Sequence, residues 1–293
     1  MNQRRRLREL LAADAPVTAP GIYDCLTARL VEQAGFDVTI ITGAGMAASI
    51  LGAPDVGLVS MTESLDQTRN ITRSVSIPVI ADCDTGYGNP VNVQRTVREF
   101  ESVDVAALFI EDQVSPKRCG HFSGKQIIST DAMVQKLRAA VDVRRDPELL
   151  LIARTDARAV EGIEGAVKRS RAYVDAGAEM LFVEAPETEE ELGYVGKELA
   201  SLGVPLMTNL VEGGRTPLLP AARLGELGFS LVTYSGSMQK TAIKSMQGLL
   251  GSLRETGDVA EYYPSRMVSL EERSDVLGLP QFFELEQRYA SEH

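Results

Sequence analysis

The sequence predicts an α/β protein folded as a (β/α)8 barrel of the TIM type, with a C-terminal helical extension. Eight short apolar runs recur along the chain, and each is followed by a longer stretch of helical period. Glycines stand between the helical stretches and the apolar runs that come next. With 293 residues and 44% hydrophobic composition the chain can bury one large core, and a barrel of this kind commonly reaches that length as a single domain.

Taken in order, the chain opens MNQRRRLRELLAADAP. The spacing of Leu7, Leu10 and Leu11, together with the acidic Glu9 and Asp14, predicts a short amphipathic helix. No apolar segment follows the arginines, so no export signal is read here. Strands are predicted at 17–21, 38–42, 78–81, 106–110, 149–153, 180–183, 205–208 and 231–234. Such uninterrupted apolar runs suit strands buried on both faces of a parallel sheet.

Between the strands, Val93, Val97 and Phe100, and then Ile163, Ala166, Val167, Ser170 and Val174, mark helical stripes that would face the sheet. AGF, AGAEM and LGF each place a glycine where a left-handed helix C-cap is wanted. Eight such units favour a closed barrel over an open doubly wound sheet. ITGAGMA follows a strand but lacks the third glycine and the acidic ribose partner of a dinucleotide site.

The chain then runs to GLPQFFELEQRYASEH, where Phe282, Phe283, Leu285 and Tyr289 carry more apolar surface than a free tail should expose. The expectation is one domain over 1–293, in which 255–293 is a helical extension packed on a neighbouring subunit.

Composition narrows the partners. The 30 basic and 41 acidic residues give a formal charge of -11, which disfavours nucleic acid and anionic membrane surfaces. An acidic substrate stays possible if a metal ion and a few basic side chains reverse the potential locally. No stretch of about 18 uninterrupted apolar residues suggests a membrane span. Cys25, Cys83 and Cys119 are too few for a disulfide framework, and a reducing cytoplasm is the expected location.

In a barrel, chemistry collects where strands end and the following loops begin. ADCDTGYGNP places Asp82 and Asp84 at the third strand's mouth, Glu111 follows the fourth, and GAPDVGL carries Asp55. Carboxylates converging on one rim repel each other unless a cation holds them, and an oxygen-only set suits Mg²⁺, with Mn²⁺ possible. Asp82 and Asp84 could instead cap the next helix. Asp112 reads as a turn or supporting residue and is left out of the site.

The loop SPKRCGHFSGKQ sets Lys117, Arg118 and His121 around Cys119. Such cations are expected to lower the thiol pKa, and the glycines to let the loop move over a ligand. Cys25 and Cys83 read as small core residues. Arg154 in IARTDAR could clamp a carboxylate, with Glu184, Asn209 and Glu212 at neighbouring strand ends. Arg154 and Glu184 could equally form a structural ion pair.

ADCDTGYGN, LFIEDQVSPKRCGH, IARTDAR, FVEAPE and NLVEGGRTP together resemble the isocitrate lyase and phosphoenolpyruvate mutase superfamily. KRCGH is similar to its lyase branch, the 2-methylisocitrate and 2,3-dimethylmalate or 2-alkylmalate lyases. NLVEGG is closer to the alkylmalate lyases and to carboxyphosphonoenolpyruvate phosphonomutase.

The resemblance implies that Asp82 contacts the metal while Asp55, Asp84 and Glu111 hold its waters. It puts Thr42, Gly43, Ala44 and Arg154 on a pyruvate-like fragment, with Tyr23, Glu184, Asn209, Glu212 and Gly213 also at the substrate. Lys240 stands where methylisocitrate lyases carry an arginine. A homotetramer whose last helix is exchanged between subunits is also implied.

The expected activity is Mg²⁺-dependent cleavage of a carbon–carbon bond in a 2-hydroxy di- or tricarboxylate, giving pyruvate or a related 2-oxo acid and a second carboxylate. Lys117, His121 and Glu111 would support the chemistry, and Cys119 would deliver a proton under a closed 115–125 loop. The alternatives are a phosphonomutase acting on a P–C bond and an oxaloacetate hydrolase or decarboxylase. A catalytically silent barrel is disfavoured because both carboxylates and thiol are present, and a Schiff-base role for Lys117 because it sits beside arginine.

Overall fold

The computed structural model describes residues 2–290. Helix α1 (Gln3–Leu11) starts at Asn2, whose side chain accepts from the Arg4 amide, and it buries Leu7 and Leu11. Strand and helix then alternate. The first half comprises β1 (Val17–Ile22), α2 (Cys25–Gln33), β2 (Thr39–Ile41), α3 (Gly43–Leu51), α4 (Met61–Ser74), β3 (Val79–Asp82), α5 (Pro90–Glu101) and β4 (Ala107–Glu111). The second half comprises α6 (Thr130–Val143), β5 (Leu150–Thr155), α7 (Arg158–Asp175), β6 (Met180–Val183), α8 (Glu189–Leu199), β7 (Leu206–Asn209), α9 (Ala221–Glu226) and β8 (Leu231–Tyr234). Each strand pairs in parallel with its sequence neighbours, and β8 pairs with β1, so the sheet closes into the expected barrel. Gly35, Gly177 and Gly228 all take positive φ just ahead of a strand, as a left-handed cap requires.

β6 and β8 have the expected bounds, β2 is one residue shorter at each end, and the remaining strands run further at their C-terminal ends. β3 includes Asp82, β4 Glu111, β5 Arg154 and β7 Asn209. Hydropathy stops at the first polar residue, but the hydrogen-bonded ladder continues through it, as the pairing of Glu111 with Arg154 shows.

The core has two shells because side chains alternate across a strand. Ile40, Ile80, Phe109, Ile152, Phe182 and Met207 fill the barrel's interior in one cluster with Leu7 and Leu11, so α1 stops the lower end. Outward-facing Leu108, Ile110, Leu151, Ala153, Leu181 and Val183 pack with the helices, among them Val93, Val97 and Phe100 of α5. The α7 stripe is also as expected, with Ala166, Val167 and Ser170 buried.

Past β8 the chain forms α10 (Ser237–Thr256), α11 (Tyr263–Arg266), α12 (Leu270–Val276) and α13 (Leu279–Tyr289), and none of these helices buries a side chain within the subunit. Phe282 is 56% and Phe283 52% exposed.

Candidate active site

The same alternation that points Phe109, Ile152, Phe182 and Met207 inward makes the residue two places on face the barrel mouth in each strand. Those residues are Glu111, Arg154, Glu184 and Asn209, joined by Asp82 two places after Ile80. A cavity of about 610 Å³ opens above them. Its walls include Asp55, Asp82, Cys119, Arg154, Glu184 and Asn209. Phe109 and Phe182 meet edge to face, with centroids 6.0 Å apart, and Arg154 stacks 5.2 Å over the Phe182 ring. Asp112 has the opposite parity. It points into the helix layer, where it accepts from the Thr155 and Tyr173 hydroxyls, each at 2.7 Å.

The acids lie at one side of the mouth. Lys117 Nζ sits 2.6 Å from Asp55 Oδ1 and 2.9 Å from Asp84 Oδ1. Asp82 accepts from the Gly43 amide and the Asp84 amide. Burial, reinforced by the Asp84 charge, pushes the Asp82 carboxyl up to about 6. Burial also raises Asp84, although Lys117 opposes the rise, and it raises Glu111 well above the usual range against the pull of Arg154. Both Glu111 carboxylate oxygens are buried without a hydrogen-bond partner among the described residues; Arg154 Nη1 is 3.3 Å from one of them. Asp84 is held at φ 46°, uncommon for a residue with a side chain.

This cluster is richer in carboxylate than its lysine and arginine can balance, and its orphaned oxygens suit a further cation. Among the described residues no three histidine, cysteine or acidic side chains converge as a direct ligand cage. Lys117 lies between Asp55 and Asp84, an arrangement compatible with the expectation that Asp82 alone contacts the ion while Asp55, Asp84 and Glu111 hold its waters. A hard divalent ion that keeps several waters fits better, with one or two carboxylates direct and the rest reached through water.

The 115–125 loop is folded over the mouth. Gln113 holds it by donating to the Arg118 carbonyl at 2.7 Å and accepting from the Arg118 amide at 3.0 Å. His121 Nδ1 accepts from the Arg215 amide at 3.1 Å, and its Nε2 faces Glu184 Oε1 at 3.2 Å. An imidazole that accepts at Nδ1 carries its proton on Nε2. Burial would lift the Glu184 carboxyl, but Arg154 and His121 outweigh it and hold the group below its usual value.

Cys119 corrects an expectation. Its thiol is pushed up, first by burial, with Asp55 and Glu184 adding to the rise. The basic side chains beside it in sequence are committed elsewhere: Lys117 to Asp55 and Asp84, His121 to Glu184 and the Arg215 amide, and exposed Arg118 to the Ser123 carbonyl. Cys83 is buried in the outer core, and Cys25 packs partly buried against a separate cluster that includes Ile22, Ala28 and Val31, as the sequence suggests.

At the other end of the cavity, Asn209 Oδ1 accepts from Ser235 at 2.6 Å and Thr233 at 3.0 Å, leaving its amide protons for a ligand. Lys240 Nζ donates to the Glu212 carbonyl and lies 3.3 Å from Glu212 Oε2, while Ser237 donates to Glu212 Oε1. Gly213 lines this end.

Thr42, Gly43 and Ala44 lie on the wall at the start of α3. The Gly43 amide is already given to Asp82, so the Ala44 amide, which a helix start leaves without an intrahelical acceptor, is the one that remains. Tyr23 does not line the cavity; it packs behind α3, where its Cβ crowds Gly45. Sequence reasoning missed Phe109 and Phe182 on the cavity wall, together with Ser235 and Arg215. The strand parity that predicts Glu111 and Glu184 could have found the two phenylalanines.

Residues 7–254 match the family model described as phosphoenolpyruvate phosphomutase. The chain is 44% identical over 291 residues to 2,3-dimethylmalate lyase of Eubacterium barkeri, covering 99% of each. Its structure superposes on oxaloacetate acetylhydrolase in complex with the inhibitor 3,3-difluorooxalacetate at TM-score 0.93 and 34% identity, covering 99% of this chain and 98% of that one. It also resembles phosphonopyruvate hydrolase complexed with oxalate and Mg²⁺, at TM-score 0.88 and 30% identity, with 99% of both chains covered.

Proposed function

The chain belongs to the phosphoenolpyruvate mutase and isocitrate lyase superfamily, and from that premise we propose that it is a divalent-metal-dependent lyase for a branched 2-hydroxydicarboxylate of the 2,3-dimethylmalate type. The observation that carries this reading is the placement of the Cys119 thiol, which burial pushes up, on a loop folded over the same cavity that Asp82 and Arg154 line. An ion held by Asp82, with Asp55, Asp84 and Glu111 carrying its waters, would polarise the substrate's 2-hydroxyl and adjacent carboxylate.

Arg154, fixed by its neighbours, pairs with that carboxylate, and the Ala44 amide supports it. The 2-hydroxyl proton passes into the buried carboxylate cluster as the C2–C3 bond breaks and C2 becomes the carbonyl of pyruvate. The bonding electrons pass to C3 and its carboxylate as an enediolate. Cys119 gives its S–H proton to C3, which yields propionate when the substituent is methyl and leaves a thiolate to be reprotonated. A thiol held above its ordinary pKa keeps that proton at neutral pH. The folded 115–125 loop keeps bulk water from competing.

The far end of the cavity supports a dicarboxylate over a tricarboxylate. Lys240 is paired with Glu212, Arg215 with Glu187 at 2.7 Å, and His121 with Glu184. A third carboxylate would have to break one of these pairs. A panel of 2,3-dimethylmalate, 2-alkylmalates, 2-methylisocitrate, oxaloacetate and a phosphonate, each with Mg²⁺, tests the reading. Release of 2-oxo acid from 2,3-dimethylmalate should exceed that from 2-methylisocitrate by about tenfold or more in kcat/KM, the scale of one poorly met charge. Oxalate release from oxaloacetate alone, or phosphonate turnover alone, would replace the lyase with a hydrolase or a mutase.

The bare C-terminal helices support a homo-oligomer, read as a tetramer with exchanged last helices. Among the described residues no helix is long and apolar enough to cross a membrane, and a cytoplasmic location remains part of the same proposal.

A further inference from the structure

The loop that carries Cys119 is fastened at its far end by a residue that the chemistry above does not use. Lys125 is buried, its side chain 1% exposed against 0% for its partner Asp156. The Lys125 ammonium donates to the Gly120 carbonyl and, at 2.8 Å, to Asp156 Oδ1. The same Asp156 carboxylate accepts Arg154 Nε at 3.0 Å and Nη2 at 3.1 Å. One ammonium therefore joins the loop backbone beside the thiol to the carboxylate that sets the angle of the guanidinium.

Gly120 gives a second, independent sign of this coupling. A Cβ there would lie 2.4 Å from Glu184 Oε1 and 2.5 Å from Arg154 Nη2, so the loop backbone rests directly on the guanidinium. Lifting the loop withdraws the Gly120 carbonyl and leaves a buried ammonium with one acceptor fewer, a change that burial penalises. Replacing the loop restores that acceptor and seats Arg154 from above.

We propose that Lys125 is a positioning residue that couples closure of the 115–125 loop to the alignment of Arg154, so that the thiol arrives only over a correctly held carboxylate. What Arg154 holds rests on the lyase reading; the coupling itself does not.

The test compares the full-length protein with Lys125→Met and Lys125→Arg, by peptide-resolved iodoacetamide labelling without ligand and by titration with oxalate and Mg²⁺. In Lys125→Met, Cys119 should label about tenfold faster while buried Cys83 labels at the wild-type rate, as local rather than global opening demands. Oxalate should bind about tenfold more weakly, and Lys125→Arg should recover most of both losses. A Cys119 rate within about twofold of wild type, or a parallel rise at Cys83, overturns the proposal. Because labelling needs no turnover, failure of the substrate panel would remove the lyase reading and leave this result standing or falling by itself.

Discussion

A thiol that serves as an acid has to keep its proton until a carbanion asks for it, and burial near Asp55 and Glu184 gives Cys119 that property. Cys119→Ser should lower turnover by about 10²- to 10⁴-fold, the usual worth of a general acid, while oxalate and Mg²⁺ titrations stay near wild type. Asp82 sets a different dependence. Its carboxyl, pushed up to about 6, is ionised above that pH and protonated below it. A metal ion must then compete with a proton, so calorimetric Mg²⁺ affinity should be full above the pKa and roughly tenfold weaker at pH 5 than at pH 7. Asp82, Arg154 and Cys119 were legible as site residues because each stands at a strand end or in a glycine-flanked loop. The direction of the thiol's shift was not. Sequence shows which cations are adjacent along the chain, but not that Lys117 turns to Asp55 and Asp84 and His121 to Glu184.

Among the elements, strands were read from hydropathy, which placed their ends within two residues, and helices from period, which marked the buried stripes of α1, α5 and α7 without fixing their bounds. The strand ends escaped because polar residues such as Glu111 and Arg154 continue the ladder. Parity recovers what hydropathy loses: counting by twos from Phe109 reaches Glu111, and from Phe182 reaches Glu184, while Asp112 falls outward. Helix α1 shows a short element working as a stopper. Leu7 is 0% exposed in the inner cluster. Arg4 donates to Asp146 at 2.6 Å, and Arg8 to the Glu148 carbonyl and to Glu179, each at 3.0 Å. Leu7→Ala should cost about 2–5 kcal/mol in urea unfolding, the range for truncating a buried leucine, with activity per folded molecule unchanged.

For the whole molecule, the order of eight units was plain in the sequence, and the closed sheet follows from it. The last helices stood out in the sequence as surplus apolar surface, and the resemblance implied their exchange between subunits. Phe282, Phe283 and Tyr289 remain more than half exposed in the subunit, so light scattering should find a mass several times 31.7 kDa. Phe282→Glu with Phe283→Glu should shift that mass downward, and a wild-type monomer would refute the exchange. With Leu7 and Leu11 stoppering one end of the lumen, ligands have only the opposite rim as a doorway. A tether or fluorophore joined ahead of α1 would emerge on the blind side, so protein immobilised that way should present its doorway to the liquid and exchange small acids as it does free in solution.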